Sequence, residues 1–179
     1  MVSYEFIVFD RRFQSISLVG AIEQQGLYGL NVGYWLRDPN QFMQWPKLLQ
    51  GNPRQDFLWQ HTCYEIFIGV HGEDYYREIN LSPSQAWQVY QFEEYRYPED
   101  MPPQAAHDIE LNQLIRTFYG LIVTLDLTEF MLKHKLKWSN MFLGLTAVLQ
   151  TSQGDQYYAM QHSSPNADFH NKRDCLHQF

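Results

Sequence analysis

Nine short segments of apolar or alternating character recur along the chain, each bounded by turn-forming residues, and this spacing constrains the fold more than any motif does. They run over 15–25, 27–37, 63–70, 75–81, 86–95, 107–118, 119–127, 141–150 and 155–162. The β-branched and aromatic residues that dominate them suit a pleated, half-buried surface. Helical periodicity is confined to "LTEFMLKHKLKW" (127–138), which predicts a short helix between strands. Three prolines in "YPEDMPPQ" (97–104) exclude a strand there. Aromatic residues make up 16% of the chain and charged residues 18%, a balance that folds rather than stays disordered. A length of 179 residues suits one domain, residues 1–179. The predicted fold is all-β: a single antiparallel β-sandwich of about nine strands with little helix.

Thirteen Lys and Arg against 20 Asp and Glu give a net charge of −7. The basic cluster "KHKLK" (133–137) reads as a solvated turn, so no nucleic-acid partner is expected. No stretch approaches the roughly 20 apolar residues of a membrane span. The opening "MVSYEFIVFDRRF" has no basic region ahead of its apolar stretch, which Glu5 and Asp10 interrupt, so a cytoplasmic location is expected. In that compartment Cys63 and Cys175 are expected as thiols packed in the sheet, with a disulfide left open because Cys175 lies near the C-terminus.

The stretch "LWQHTCYEIF" (58–67), read as a strand, places Trp59, His61, Cys63, Glu65 and Phe67 on one face. "HGED" (71–74) supplies a tight connection around Gly72. A hairpin closed there pairs Tyr64 with Leu81, Glu65 with Asn80 and Ile66 with Ile79. Its apolar residues then share one face, and His61, Cys63, Glu65, Glu78, Asn80 and Ser82 share the other. A one-residue slip would mix the two sets, so the pattern specifies the register. "SPSQ" (82–85) leads to the next strand in one of two registers. One sets Trp87 beside Asn80 on the polar face; the other sets Trp87 beside Leu81 in the core and Tyr90 beside Glu78. Either way a carboxylate, an amide and a large aromatic meet on a sheet face, the parts with which sugars are recognised.

Two blocks, "DFLWQHTCYEIFIGVHGEDYYREINLSPSQAWQVYQFEEYR" and "YYAMQHSSPNADFHNKRDC", resemble the bacterial DOMON-like family, which is similar in fold to family 9 carbohydrate-binding modules. The first block is matched at Leu58, Trp59, Gln60, Thr62, Cys63 and Glu65, then at Glu78, Asn80, Ser82, Pro83, Ser84, Trp87 and Tyr90. The terminal block is matched at His162, Asp168, Phe169, His170, Asp174 and Cys175. Gln85 stands where the family usually has glycine, and Ala167 where it often has proline. The resemblance implies a jelly-roll-like sandwich and a superfamily that binds sugars or haem; it names no activity.

The expected function is a non-enzymatic domain binding a small molecule, a carbohydrate or sugar-like metabolite. The candidate ligand-binding residues are His61, Glu65, Glu78, Asn80, Trp87, Tyr90, His162, Asp168 and His170. The last three come from the polar, loop-like "HSSPNADFHNKRDC" (162–175). An alternative is a metal-binding protein or metal-assisted hydrolase using His61, Glu65, His162 and His170, with a divalent metal as cofactor. No H-E-x-x-H motif supports it. Haem is not favoured, since no C-x-x-C-H attachment occurs. Glu65 and Glu78 also have the makings of a paired-carboxylate site, and a protein-interaction module using an exposed aromatic face is a further alternative.

Overall fold

The computed structural model describes residues 1–13 and 15–179. In chain order the strands are β1 (Val2–Glu5), β2 (Ile7–Val8), β3 (Ser17–Gln25), β4 (Gly29–Arg37), β5 (Cys63–Val70) and β6 (Tyr76–Leu81). They continue as β7 (Trp87–Phe92), β8 (Glu110–Arg116), β9 (Gly120–Asp126), β10 (Met141–Thr151), β11 (Gly154–Ala159) and β12 (His177–Gln178). One α-helix, α1 (Thr128–Lys133), lies between β9 and β10. The smaller sheet has the order β1-β3-β4-β9-β8. The larger runs β2-β11-β10-β5-β6-β7, with β12 also pairing β10. Every ladder is antiparallel, and the two sheets make a β-sandwich. No helix of the described residues is long and apolar enough to cross a membrane.

The nine expected segments all contain strands, and β1, β2 and β12 are additional. At two to four residues these three are too short to show a period of their own. The expected helix shortens to α1, which buries Phe130 and Met131. The basic cluster after it turns back through Lys135, at φ 55°.

Between the sheets, Tyr64, Ile66, Ile79, Leu81 and Val89 pack with Leu30, Val32, Tyr34, Leu121 and Val123. Burying each such side chain contributes roughly 1.5–3 kcal/mol. The Tyr34 hydroxyl donates to the Glu65 carbonyl at 2.7 Å, tying one sheet to the other. The β5–β6 register pairs Tyr64 with Leu81, Glu65 with Asn80 and Ile66 with Ile79. For β6–β7 the second of the two registers occurs: Leu81 faces Trp87, and Glu78 faces Tyr90.

Gln85, between β6 and β7, has φ 73°, a left-handed conformation that favours glycine. Its side-chain amide donates to the Leu114 carbonyl at 3.0 Å, fastening this turn to β8. Every residue of β5 and β6 is buried, so the face turned away from the core is also covered. A second apolar cluster lies there, formed by Phe67, Tyr76, Tyr90, Phe92, Phe142 and Cys175, with Trp59 and Phe169 packed against it.

Candidate functional site

The outer face of the larger sheet is roofed by three irregular segments: the turn before β5, residues 94–103, and the polar stretch after β11. The turn replaces the first part of the expected 58–67 strand. Phe57 adopts φ 62°, and Leu58–Gln60 form a single 3-10 turn. The amides of Gln60 and His61 bond back to Phe57 and Leu58, so they join no ladder until Cys63. This swings Trp59 over the sheet, edge-on to Tyr90 with ring centroids 5.6 Å apart. It leaves His61 exposed.

The C-terminal segment is held down by several polar ties. Lys172 donates to the carbonyls of Glu73 and Asp74 at 2.9 and 2.7 Å, across the β5–β6 turn. Asp174 accepts the Ser163 amide at 3.1 Å. Cys175 packs on Gly144, where an added Cβ would lie 2.4 Å from the sulfur. Both cysteines are buried free thiols, and Cys63 faces the Asn80 side-chain oxygen at 3.6 Å. Asp168 accepts from Arg96 at 3.1 Å and from the Tyr95 hydroxyl at 2.9 Å, joining the terminal segment to the 94–103 segment.

Between these roofs and the sheet lies a pocket of about 860 Å³, within the range of small-molecule sites. Glu65 and Glu78 form part of its floor; Trp59, Tyr95, Tyr97 and Phe169 contribute aromatic surface; Glu94, Glu99 and Asp100 bring further acidic groups. Glu65 and Glu78 are diagonal neighbours on adjacent strands, since Phe67 faces Glu78 and Glu65 faces Asn80. Their exposures are 3% and 5%. Glu65 Oε2 accepts the Thr146 hydroxyl at 2.9 Å, and Glu78 Oε1 accepts the Asn80 amide at 2.9 Å.

Burial pushes the Glu65 carboxyl up to about 8, and the charge of Glu78 adds to the rise against the Thr146 bond and Arg96. Burial likewise raises Glu78 to about 7, opposed by the Asn80 bond and the charge of Arg96. His170 moves the other way: burial, reinforced by Arg96, lowers it to about 3, so its ring is neutral at pH 7. A hydrogen-bond relay orients that ring. The Arg96 amide donates to the Tyr76 hydroxyl at 3.2 Å, and that hydroxyl shares a hydrogen bond with His170 Nδ1 at 2.6 Å. Its other nitrogen, Nε2, faces Glu78 Oε2 at 3.5 Å. The floor of the pocket is thus able to hold protons near neutral pH, or to take a positive charge in their place.

Of the residues expected at a ligand, Glu65, Glu78 and His170 come together on the pocket wall. Asn80 and Asp168 stand behind it, the first holding Glu78 and the second Arg96. Tyr90 is buried beneath Trp59, its hydroxyl donating to Asp56 at 2.9 Å. Trp87 lies on the core side, because its register with Leu81 turns it inward. Its indole donates to the Asn52 carbonyl, and Arg54 stacks on it at 4.2 Å. His162 bonds the Ile7 carbonyl at 2.9 Å and meets Phe9 edge-on, at the β2 side of the sheet. The proposed quartet of His61, Glu65, His162 and His170 therefore does not assemble. Among the described residues no group of three or more His, Cys, Asp or Glu is arranged to hold a metal ion. Trp59, Tyr95, Arg96 and Phe169 are among the pocket residues not singled out as ligand contacts. All four fall within the two blocks that carry the family resemblance, which is the signal by which they were within reach.

No protein-family model and no curated protein matches the sequence. The chain is similar to the crystal structure of a "putative carbohydrate-binding protein" from Bacteroides uniformis, at 9% sequence identity and a TM-score of 0.67. The likeness covers 97% of this chain and 84% of that one. It is a likeness of fold.

Proposed function

We propose that the chain is a non-enzymatic binding domain, a single DOMON-like sandwich over residues 1–179, whose pocket takes a carbohydrate or sugar-like metabolite. The observation that carries this reading is the pocket itself: buried, oriented carboxyl groups on a sheet floor beneath an aromatic roof of Trp59, Tyr95 and Phe169. Sugars present hydroxyls for such acceptors and apolar C–H faces for such rings. The volume suits one or two sugar rings. The fold shared with the Bacteroides protein supports the reading.

The test is titration calorimetry against a panel of mono- and disaccharides, with Trp59→Ala and Asn80→Ala beside the parent. Binding to at least one sugar is expected. Trp59→Ala should weaken it about tenfold or more by removing the stacking face. Asn80→Ala should weaken it less, by freeing Glu78. A panel without binding, or affinities unchanged in both variants, would overturn the assignment.

The paired carboxyls favour a second reading, a glycoside-cleaving site with Glu65 and Glu78 as its acid and base. Release of reducing ends from the sugars that bind would establish it, and turnover indistinguishable from Glu78→Gln would remove it.

A further inference from the structure

Resting on the carbohydrate reading, we propose that the ligand is cationic: an amino sugar whose protonated amine sits against Glu65 and Glu78, enclosed by the aromatic wall. The pocket is lined by five acidic side chains, Glu65, Glu78, Glu94, Glu99 and Asp100, and by a single arginine. That arginine, Arg96, is already engaged by Asp168 and Tyr95. The lining histidine, His170, is neutral. The imbalance reaches the floor. Glu65 is 3% exposed, yet its Oε1 accepts no hydrogen bond from the described residues, while Oε2 has Thr146 alone. Glu78 Oε2 meets only a neutral imidazole at 3.5 Å.

Buried carboxylates that share only the distant charge of Arg96, itself paired with Asp168, are costly, and one sugar hydroxyl offsets little of that cost. An anionic sugar would be repelled by the same groups. An ammonium supplies the missing charge and three donors for the open oxygens. Rings of Trp59, Tyr95 and Phe169 add attraction for a cation, most strongly where water is excluded. The free pocket answers the same imbalance with protons, since burial raises both carboxyls well above the ordinary carboxylate range. Binding of the amine would displace them: the carboxyl proton leaves to solvent as the ammonium takes its place.

The experiment is calorimetry on the intact chain at pH 7 with glucosamine, N-acetylglucosamine, glucose, glucuronic acid and choline. Glucosamine is expected to bind about tenfold or more tightly than N-acetylglucosamine and glucose. Its affinity should fall as salt rises from about 50 to about 500 mM, and glucuronic acid should not bind. The double variant Glu65→Gln, Glu78→Gln should lose the preference for the amine. Should that variant fail to fold, titrations of the parent in buffers of different ionisation enthalpy must still show proton release with glucosamine. Neutral sugars binding as well as glucosamine, or no proton release, would overturn the charge inference and leave the carbohydrate reading standing. Choline binding while every sugar fails would overturn the sugar and support the charge. Absence of all binding at about 20 mM ligand would overturn both.

Discussion

Arg77 and Glu78 are neighbours in sequence, lie on the same strand and are almost equally buried, but they point to opposite faces of the larger sheet. Arg77 is on the core side and is fully answered there. It donates to Asp108 at 3.0 and 2.6 Å and lies over the Phe130 ring at 5.1 Å. Burial alone would push the Asp108 carboxyl up, but the Arg77 bonds and charge outweigh it and hold it below its ordinary value. Glu78, on the outer face, has an amide and a neutral imidazole for company, and its carboxyl rises to about 7. Depth is therefore not what separates the two charges. The separation lies in whether the chain itself supplies the counter-charge. Where it does, the pair belongs to the fold; where it does not, a place is left for something else.

The largest effect that tests this contrast is on the closed pair. Asp108→Asn keeps the shape of the side chain and leaves the Arg77 guanidinium buried without its carboxylate. A loss of about 3–5 kcal/mol in unfolding free energy is expected, read from the urea midpoint at an unchanged slope. A loss below about 1 kcal/mol would mean that Arg77 does not depend on its partner, and the contrast would collapse.

The open pair should respond in the opposite sense. The folded-state carboxyls of Glu65 and Glu78 titrate above their unfolded value, so the folded state keeps protons that the unfolded chain releases. The stability they contribute is complete below the unfolded value and is lost as pH rises through about 7 to 8. Glu78→Gln removes one such group while preserving an oxygen for Asn80. It should stabilise the fold by on the order of 2–3 kcal/mol at pH 9 and by almost nothing near pH 4. Urea denaturation at the two pH values decides the matter; a variant less stable than the parent at pH 9 would place the carboxylate in a satisfied environment after all.

The register beneath this contrast is legible in the sequence, whereas the partner of Arg77 is not. As a residue type Arg77 was equally available to Glu65 and Glu78, and the structure gives it to Asp108 on the other face. The core side of β5 and β6 demands apolar residues at every second position, and only one register supplies Tyr64, Ile66, Ile79 and Leu81 together. Glu65 and Asn80 are then opposed on the other face by geometry alone. The β6–β7 register stayed open because Trp87 and Tyr90 are both amphipathic aromatics that fit either face. The packing of Trp87 against the core decides it. What alternation does not reach is the roof. Phe57 in a left-handed conformation turns Trp59 over the sheet, and a β-pattern gives no sign of that reversal. The 94–103 segment has no period, so nothing local announces that Arg96 will lie across from Asp168, far along the chain. His61 and His162 looked equivalent to His170 as residue types. Their separation comes from one exposed turn and one backbone carbonyl at the sheet edge.

Arg96 offers the smallest effect on stability and the finest test of the contrast. Its ion pair with Asp168 spans 3.1 Å with the guanidinium side chain half exposed, so Arg96→Ala should change the unfolding free energy at pH 6 by less than about 1 kcal/mol. Its charge nevertheless holds both floor carboxyls down. Without it they rise further, and the pH range over which stability is lost should move upward. Chemical denaturation from about pH 5 to pH 10 measures that displacement. An alkaline limb that stays in place, or moves down, would mean that Arg96 is not felt by the carboxyls and that they answer to something other than a deficit of positive charge. An upward move would instead make Arg96 the partial stand-in for the missing cation. Its removal should then tighten the binding of glucosamine while leaving N-acetylglucosamine unaffected, because a competing positive charge has left the pocket and the uncharged sugar never met that competition.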